Sequence, residues 1–133
     1  MKDVINYLKT NQYGFLATVE NNKPKVRPFG FMYEEYGRLY FCTSSKKDVY
    51  RQMKESPVVE YATTSSDMVT VRISGTAVFT EDIQVKEKVL ASSELVKSIY
   101  KTADNPVFKT FYLEHGDVIV ADFSGNPPRN FSF

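Results

Sequence analysis

Short segments rich in β-branched and aromatic residues recur along this 133-residue chain, and turn residues such as Asn21-Asn22-Lys23 separate them. Successive segments are joined mainly by turns, so the sequence predicts antiparallel hairpins and disfavours a doubly wound parallel sheet. The expected fold class is α+β, with a closed, mainly antiparallel β-barrel and inserted helices. The first three strands are expected to form a meander of neighbours. The predicted strands cover residues 13–20, 25–34, 38–42, 58–63, 68–79, 107–113 and 118–123.

Apolar residues at helical spacing predict the inserted helices. One helix ends near Asn11, and a second covers residues 48–55 before Pro57. A third begins after Asp82 and is either one long helix or two short helices divided at Ser92-Ser93. Within the strands, Gly75 predicts a bulge or a close backbone approach, and residues 114–117 predict a turn.

Composition excludes several classes of protein. Residues 1–133 show no compositional break and are expected to form a single domain. A net charge of +1 provides no general attraction to nucleic acid or to anionic lipid, so neither is expected as a partner. One His and one Cys are too few for ordinary zinc spacing, so no metal site is expected. The single Cys42, the polar start and the lack of a long apolar run predict a cytoplasmic protein outside the membrane.

A run of hydroxyls and lysines follows the third strand at the predicted start of a helix. Hydroxyls, free N–H groups at a helix N-terminus and ammonium groups all favour an anion, so the run predicts a phosphate site. Two lysines in a first helical turn oppose the helix dipole unless an anion lies between them. An ordinary solvated helix start is the alternative. The run consists of Thr43, Ser44, Ser45, Lys46 and Lys47.

Arg27 lies beside Pro28 in the second predicted strand. Proline removes one backbone donor, so this position is expected at an edge or a bulge, where Arg27 could simply be exposed. If the second and third strands are neighbours, Arg27 instead joins the phosphate site, because its guanidinium can bind phosphate through two N–H groups.

The order of several motifs resembles the pyridoxamine 5'-phosphate oxidase-like split-barrel flavoproteins, and most closely their short nitroimidazole-resistance-like branch. The resemblance covers nearly the whole chain and implies a six-stranded FMN-binding split barrel. The motifs are residues 14–18, 24–28 and 39–43, the pair Lys46-Lys47 and the closing pattern at 116–125.

The resemblance implies a homodimer with FMN in clefts between the subunits. Arg27 and Lys47, with Lys46, match positions that face the FMN phosphate. Hydroxyls at Thr43 and Ser45, within the run that includes Ser44, match contacts to the phosphate or ribityl chain. The backbone at Val26, Pro28 and Phe29 would border the flavin ring.

The activity implied is that of an FMN-dependent oxidoreductase, which passes electrons from a reduced donor to a small, planar acceptor. The chain end lacks the tryptophan-containing segment of the vitamin B6 enzymes, and His115 does not match the histidine associated with nitroreduction, so neither activity is carried over. Two alternatives stay open: a non-catalytic module that binds flavin, deazaflavin or haem, with His115 or Cys42 as the haem ligand, and a structural dimer with a vacant cleft.

Overall fold

The computed structural model describes residues 1–133 and contains four helices and eight strands. The predicted division of the third helix is confirmed: Ser93 separates two helices, and its Oγ accepts a hydrogen bond from the Val96 N–H at 3.2 Å. Asp82 caps the earlier helix in the same way, through the Gln84 N–H at 2.9 Å. The elements are α1 (Lys2–Thr10), β1 (Tyr13–Glu20), β2 (Lys23–Gly30), β3 (Tyr33–Glu35), β4 (Arg38–Ser44), α2 (Asp48–Glu55), β5 (Val58–Thr64), β6 (Thr70–Thr80), α3 (Ile83–Ser92), α4 (Glu94–Tyr100), β7 (Phe108–Ala121) and β8 (Arg129–Ser132).

All eight strands belong to one antiparallel sheet, ordered β2-β1-β5-β6-β7-β4-β3, with β8 beside β7. Strands β2 and β3 lie at opposite ends of this order, yet only Phe31 and Met32 separate them along the chain. The Phe31 N–H donates to the Gln12 carbonyl at 2.9 Å, and the Met32 N–H donates to the Tyr40 carbonyl at 3.0 Å. Within these two residues, the backbone hydrogen bonds therefore change partner, from the residue before β1 to a residue of β4. With β2 and β3 counted as one bent strand, the barrel has six strands, and the predicted α+β split barrel is confirmed.

The predicted meander of the first three strands is confirmed, with a bend in the second: the residues predicted as one strand over 25–34 form β2, which pairs with β1, and β3, which pairs with β4. Strand β4 pairs with β3 and β7, whereas β2 pairs only with β1. The predicted strand is divided by the bend at Phe31 and Met32, whose side chains are buried at 1% and 7% exposure. Burying both residues turns the second half of the predicted strand away from its hairpin partner, and this half becomes β3.

The predicted turn at residues 114–117 is wrong, because β7 continues through it. Ser74 pairs with Asp117 and Thr76 pairs with Glu114, so two residues of β7 oppose Gly75 alone. The extra residue forms a β-bulge, in which His115 takes a φ of 53°. Turn-forming residues therefore mark a bulge here. The predicted close backbone approach at Gly75 is confirmed, since a Cβ atom there would lie 3.3 Å from the Glu114 carbonyl oxygen.

Two apolar clusters flank the sheet. Inside the barrel, the Phe41 and Phe111 rings stack with centroids 5.5 Å apart, and Tyr61 is fully buried while its hydroxyl donates to the Gln12 carbonyl. The second cluster lies beneath α3 and α4 and includes Tyr100 and Phe108. Core packing is thus the main role of Tyr61. None of the helices has the length and apolar character needed to cross a membrane.

Candidate functional site

A cavity of about 310 Å³ opens between the barrel and α4. Strands β2 and β4 are not paired, yet Arg27 from β2 and Thr43 from β4 both line this cavity, together with Lys47. The remaining lining is mainly apolar and includes Phe29, Met32, Val49, Leu95 and Ile99. The arrangement combines cationic and hydroxyl groups with an apolar wall, which suits a ligand that has an anionic group and an apolar body.

Five of the nine predicted site residues line the cavity: Arg27, Pro28, Phe29, Thr43 and Lys47. The other four do not. Val26 points outward from β2 with 68% exposure, and Lys46 is exposed. Ser44 is buried, and its Oγ accepts the Lys46 N–H at 3.2 Å, while the Ser45 N–H donates to the Val107 carbonyl at 2.9 Å. Ser44 and Ser45 therefore shape the turn before α2.

Neutral groups hold the Arg27 side chain. Its Nη1 donates to Thr18 Oγ1 at 2.6 Å and to the Leu16 carbonyl at 3.3 Å, and its Nη2 donates to Gln52 Oε1 at 2.5 Å. No carboxylate pairs with the guanidinium. Burial lowers the pKa of Arg27 from its usual value, which reflects the cost of keeping this charge away from water. An anion in the cavity would offset that cost.

Thr43 carries a second unsatisfied group. The residue is 2% exposed, and its Oγ1 atom has no hydrogen-bond partner. Most buried hydroxyls are paired, so an unpaired one beside a cavity indicates a place for a ligand or a water. Because Thr43 and Arg27 line the same cavity, both could bind one anion.

The turn between β4 and α2 brings Lys47 to the cavity. The Lys47 N–H donates to the Ser44 carbonyl at 3.0 Å, and Lys47 itself occupies the N-cap position of α2. No side chain caps this helix. The first N–H groups of an uncapped helix can donate hydrogen bonds to an anionic ligand, and the lysine adds its positive charge.

The Cys42 thiol lies in the cavity wall and is not an activated nucleophile. Burial raises the pKa of Cys42 to about 12, and the nearby Lys47 charge opposes this only in part. The thiol form therefore dominates at neutral pH, and packing is the role that fits it.

The sequence analysis did not identify Gln52 and Thr18, the two residues whose side chains bind the Arg27 guanidinium. Gln52 lies beside Val49 and Met53 on the buried face of α2, and Thr18 follows Leu16 on the inward face of β1. A polar residue on an apolar face was the available signal in both cases. The contribution of α4, through Leu95 and Ile99, had no local signal because it depends on how that helix packs.

Comparisons with known proteins agree with this architecture. A family model described as pyridoxamine 5'-phosphate oxidase matches residues 1–120. A NimC/NimA family protein from Clostridium acetobutylicum is 29% identical and superposes with a TM-score of 0.90, covering 100% of this chain and 93% of that one. No curated protein sequence matches this chain.

Two more distant structures share the fold. One is a pyridoxamine 5'-phosphate oxidase-related, FMN binding protein from Nostoc punctiforme, at 16% identity and a TM-score of 0.72, covering 97% of this chain and 87% of that one. The other is a heme binding protein from Mycobacterium smegmatis, at 17% identity and a TM-score of 0.77, covering 96% of this chain and 55% of that one. The match to the family model over residues 1–120, on a split barrel with this cavity, means that the chain belongs to the pyridoxamine 5'-phosphate oxidase family.

Proposed function

We propose that this protein binds FMN in the cavity beside Arg27 and acts as an oxidoreductase that passes electrons from a reduced donor to a small acceptor. The observation that carries the proposal is the convergence on one cavity of Arg27, which has no carboxylate partner, the unpaired Thr43 hydroxyl and Lys47. Family membership and the FMN-binding neighbour add support.

The phosphate of FMN suits the polar part of the cavity. Arg27 and Lys47 supply positive charge, and the Thr43 hydroxyl can donate to a phosphate oxygen. The flavin ring system would lie against the apolar part, where Phe29 and the α4 residues Leu95 and Ile99 exclude water. The residues present therefore fit both parts of the cofactor.

When bound, FMN supplies the electron-transfer chemistry. The side chains around it bind and orient it, because none of the 14 lining residues is His, Asp or Glu. Cys42 stays protonated in the wall, so this set offers no thiolate nucleophile at neutral pH. The proposal thus assigns the protein's contribution to binding, orientation and exclusion of water.

We also propose that two copies of this chain form a homodimer at the cavity. The outward faces of β1 and β2 carry an apolar surface, in which Phe15 pairs with Pro28 and Ala17 pairs with Val26. Phe15 is 56% exposed and Val26 is 68% exposed, whereas contiguous apolar surface is rare on a monomer. Tyr13 and Pro28 belong to both this surface and the cavity, so a second copy seated here would also cover the flavin.

Haem is a weaker alternative. His115 lies in the β7 bulge with an 83% exposed side chain and is not among the cavity residues. Cys42 does line the cavity, but its raised pKa disfavours the thiolate that iron needs. A flavin requires no such ligand, and this difference favours FMN. A non-catalytic flavin module has the same binding site and differs only in turnover.

The decisive experiment is FMN binding to the purified protein, followed by visible absorption after gel filtration. We expect retained flavin in the wild type and loss of retention in the double variant Arg27→Ala/Lys47→Ala, because both cations that line the cavity are removed. Lys46→Ala is the matched control, since Lys46 is exposed and lies outside the cavity.

Unchanged affinity in the double variant would contradict the assigned site. If flavin is retained, NAD(P)H-driven reduction of small acceptors separates an oxidoreductase from a binding module. Appearance of a Soret band on haem titration, with no FMN retention, would favour the haem alternative.

A further inference from the structure

We infer that Gln52 is a positioning residue, which with Thr18 orients the Arg27 guanidinium through neutral acceptors and so preserves its positive charge for a phosphate. This inference rests on the proposed function, because it concerns the same FMN phosphate site. Gln52 does not line the cavity, so it would act on a ligand only through Arg27.

Three side chains from three elements form a closed set of hydrogen bonds. Gln52 Oε1 accepts from Arg27 Nη2 at 2.5 Å and from Thr18 Oγ1 at 2.6 Å. Thr18 Oγ1 in turn accepts from Arg27 Nη1 at 2.6 Å. Gln52 is 3% exposed and Thr18 is 1% exposed, so water does not compete for these bonds. The guanidinium plane is therefore fixed before any ligand arrives.

The acidic groups of this region are engaged elsewhere. Arg51 donates to Asp48 Oδ1 at 3.0 Å and also forms a salt bridge with Glu20. Neither carboxylate pairs with Arg27, although the Asp48 charge raises the pKa of Arg27 against the larger lowering by burial. A carboxylate in the place of the Gln52 amide would have nearly the same shape but would neutralise the guanidinium. Glutamine orients the guanidinium without neutralising its charge.

Two donors of Arg27 are left for a ligand. The hydrogen bonds to Thr18, Leu16 and Gln52 engage Nη1 and Nη2, whereas Nε has no acceptor in the protein. Each Nη carries two N–H groups, so one N–H of Nη2 is free beside Nε. Adjacent donors of this kind can bind two oxygens of one phosphate.

The test compares FMN with riboflavin, which has the same ring system and no phosphate. The measured quantities are the two Kd values, from quenching of flavin fluorescence. The wild type is expected to bind FMN more tightly than riboflavin. In Gln52→Glu we expect FMN affinity to fall by about tenfold or more, because Arg27 would pair with the new carboxylate, while riboflavin affinity stays unchanged.

Two further variants complete the experiment. Gln52→Met removes the acceptor but adds no charge, so we expect a smaller fall in FMN affinity than in Gln52→Glu. Gln84→Glu is the matched control: it adds the same charge on the exposed surface of α3 and is expected to leave both Kd values unchanged. The melting temperature without ligand shows whether each variant folds.

The outcomes separate this inference from the proposed function. If the wild type prefers FMN and Gln52→Glu keeps the same ratio of FMN to riboflavin affinity, the positioning role is overturned while the FMN site stands. If Gln52→Glu does not fold, a wild-type ratio in Gln52→Met overturns it equally. If the wild type binds FMN no better than riboflavin, the phosphate site of the proposed function itself fails.

Discussion

At the scale of single residues, the site is defined by polar groups that the folded chain leaves unsatisfied. Burying a hydroxyl without a partner costs about 1–3 kcal/mol, so such a group is expected where it has a function such as ligand binding. Thr43 is the clearest case here, since its Oγ1 atom is buried and unpaired beside the cavity. Under the proposed function, the same residue lowers stability and would supply a contact to the FMN phosphate.

Thr43→Val directly tests this opposition between stability and ligand binding. Valine has nearly the same shape and no hydroxyl, so the free energy of unfolding without ligand is expected to stay the same or rise by about 1 kcal/mol. FMN affinity is expected to fall by about tenfold, because a donor to the phosphate is lost. Urea unfolding and a flavin titration measure the two quantities.

Thr110→Val is the control for this substitution. Thr110 is fully buried like Thr43, but its Oγ1 donates to the Thr80 carbonyl at 3.0 Å. Removing that hydroxyl is expected to lower the free energy of unfolding by about 1 kcal/mol or more and to leave FMN affinity unchanged. A loss of stability in Thr43→Val as large as that in Thr110→Val would mean that the Thr43 hydroxyl is satisfied within the protein.

At the scale of elements, the β7 bulge allows one long strand to pair with β6 along most of its length. Gly116 makes this possible because the backbones approach closely: a Cβ atom there would lie 1.8 Å from the Ser74 carbonyl oxygen. No rotation of a side chain can relieve such a contact, since the residue's own backbone fixes the position of a Cβ atom and the Ser74 oxygen belongs to backbone. The bulge therefore depends on glycine at this position.

Gly116→Ala is expected to lower the free energy of unfolding by about 3 kcal/mol or more, because the β6–β7 pairing must shift. Gly37→Ala is the comparison: its φ of 80° carries a conformational cost of about 1 kcal/mol, but a Cβ atom there would meet no neighbour. Denaturant unfolding of both variants measures the difference. Equal losses would contradict the close approach at Gly116.

At the scale of the whole molecule, the apolar surface on β1 and β2 connects the proposed dimer to the proposed cofactor site. Residues 13 and 28 are shared between this surface and the cavity, so association and flavin binding should be coupled. A monomer would leave both the surface and one side of the flavin in water.

Phe15→Glu is expected to convert the dimer to a monomer and to weaken FMN binding, because a carboxylate would be buried between the subunits. Phe123→Glu is the matched control, since Phe123 is also exposed, at 84%, but lies outside the strands. Light scattering after size exclusion gives the mass, and flavin fluorescence gives the affinity. A wild type that is monomeric with FMN bound would contradict the proposed dimer.

The sequence by itself determined those features that depend on neighbours along the chain. Alternation and turn residues located most of the strands, Asp82 and Ser93 marked the starts of α3 and α4, and the hydroxyls and lysines of the β4–α2 turn led to the prediction of an anion site. These signals are local, because a strand pattern or a helix cap involves residues only a few positions apart. The resemblance to a known family then placed these elements in a split barrel.

Tertiary structure alone decided how distant residues meet. The bend at Phe31 and Met32 separates β2 from β3 and closes the barrel, and through that closure Arg27 shares a cavity with Thr43 although their strands are unpaired. The hydrogen bonds of Arg27 to Thr18 and Gln52 depend in the same way on the packing of α2 against β1. Such contacts arise from burial of side chains far apart in sequence, and no local pattern encodes them.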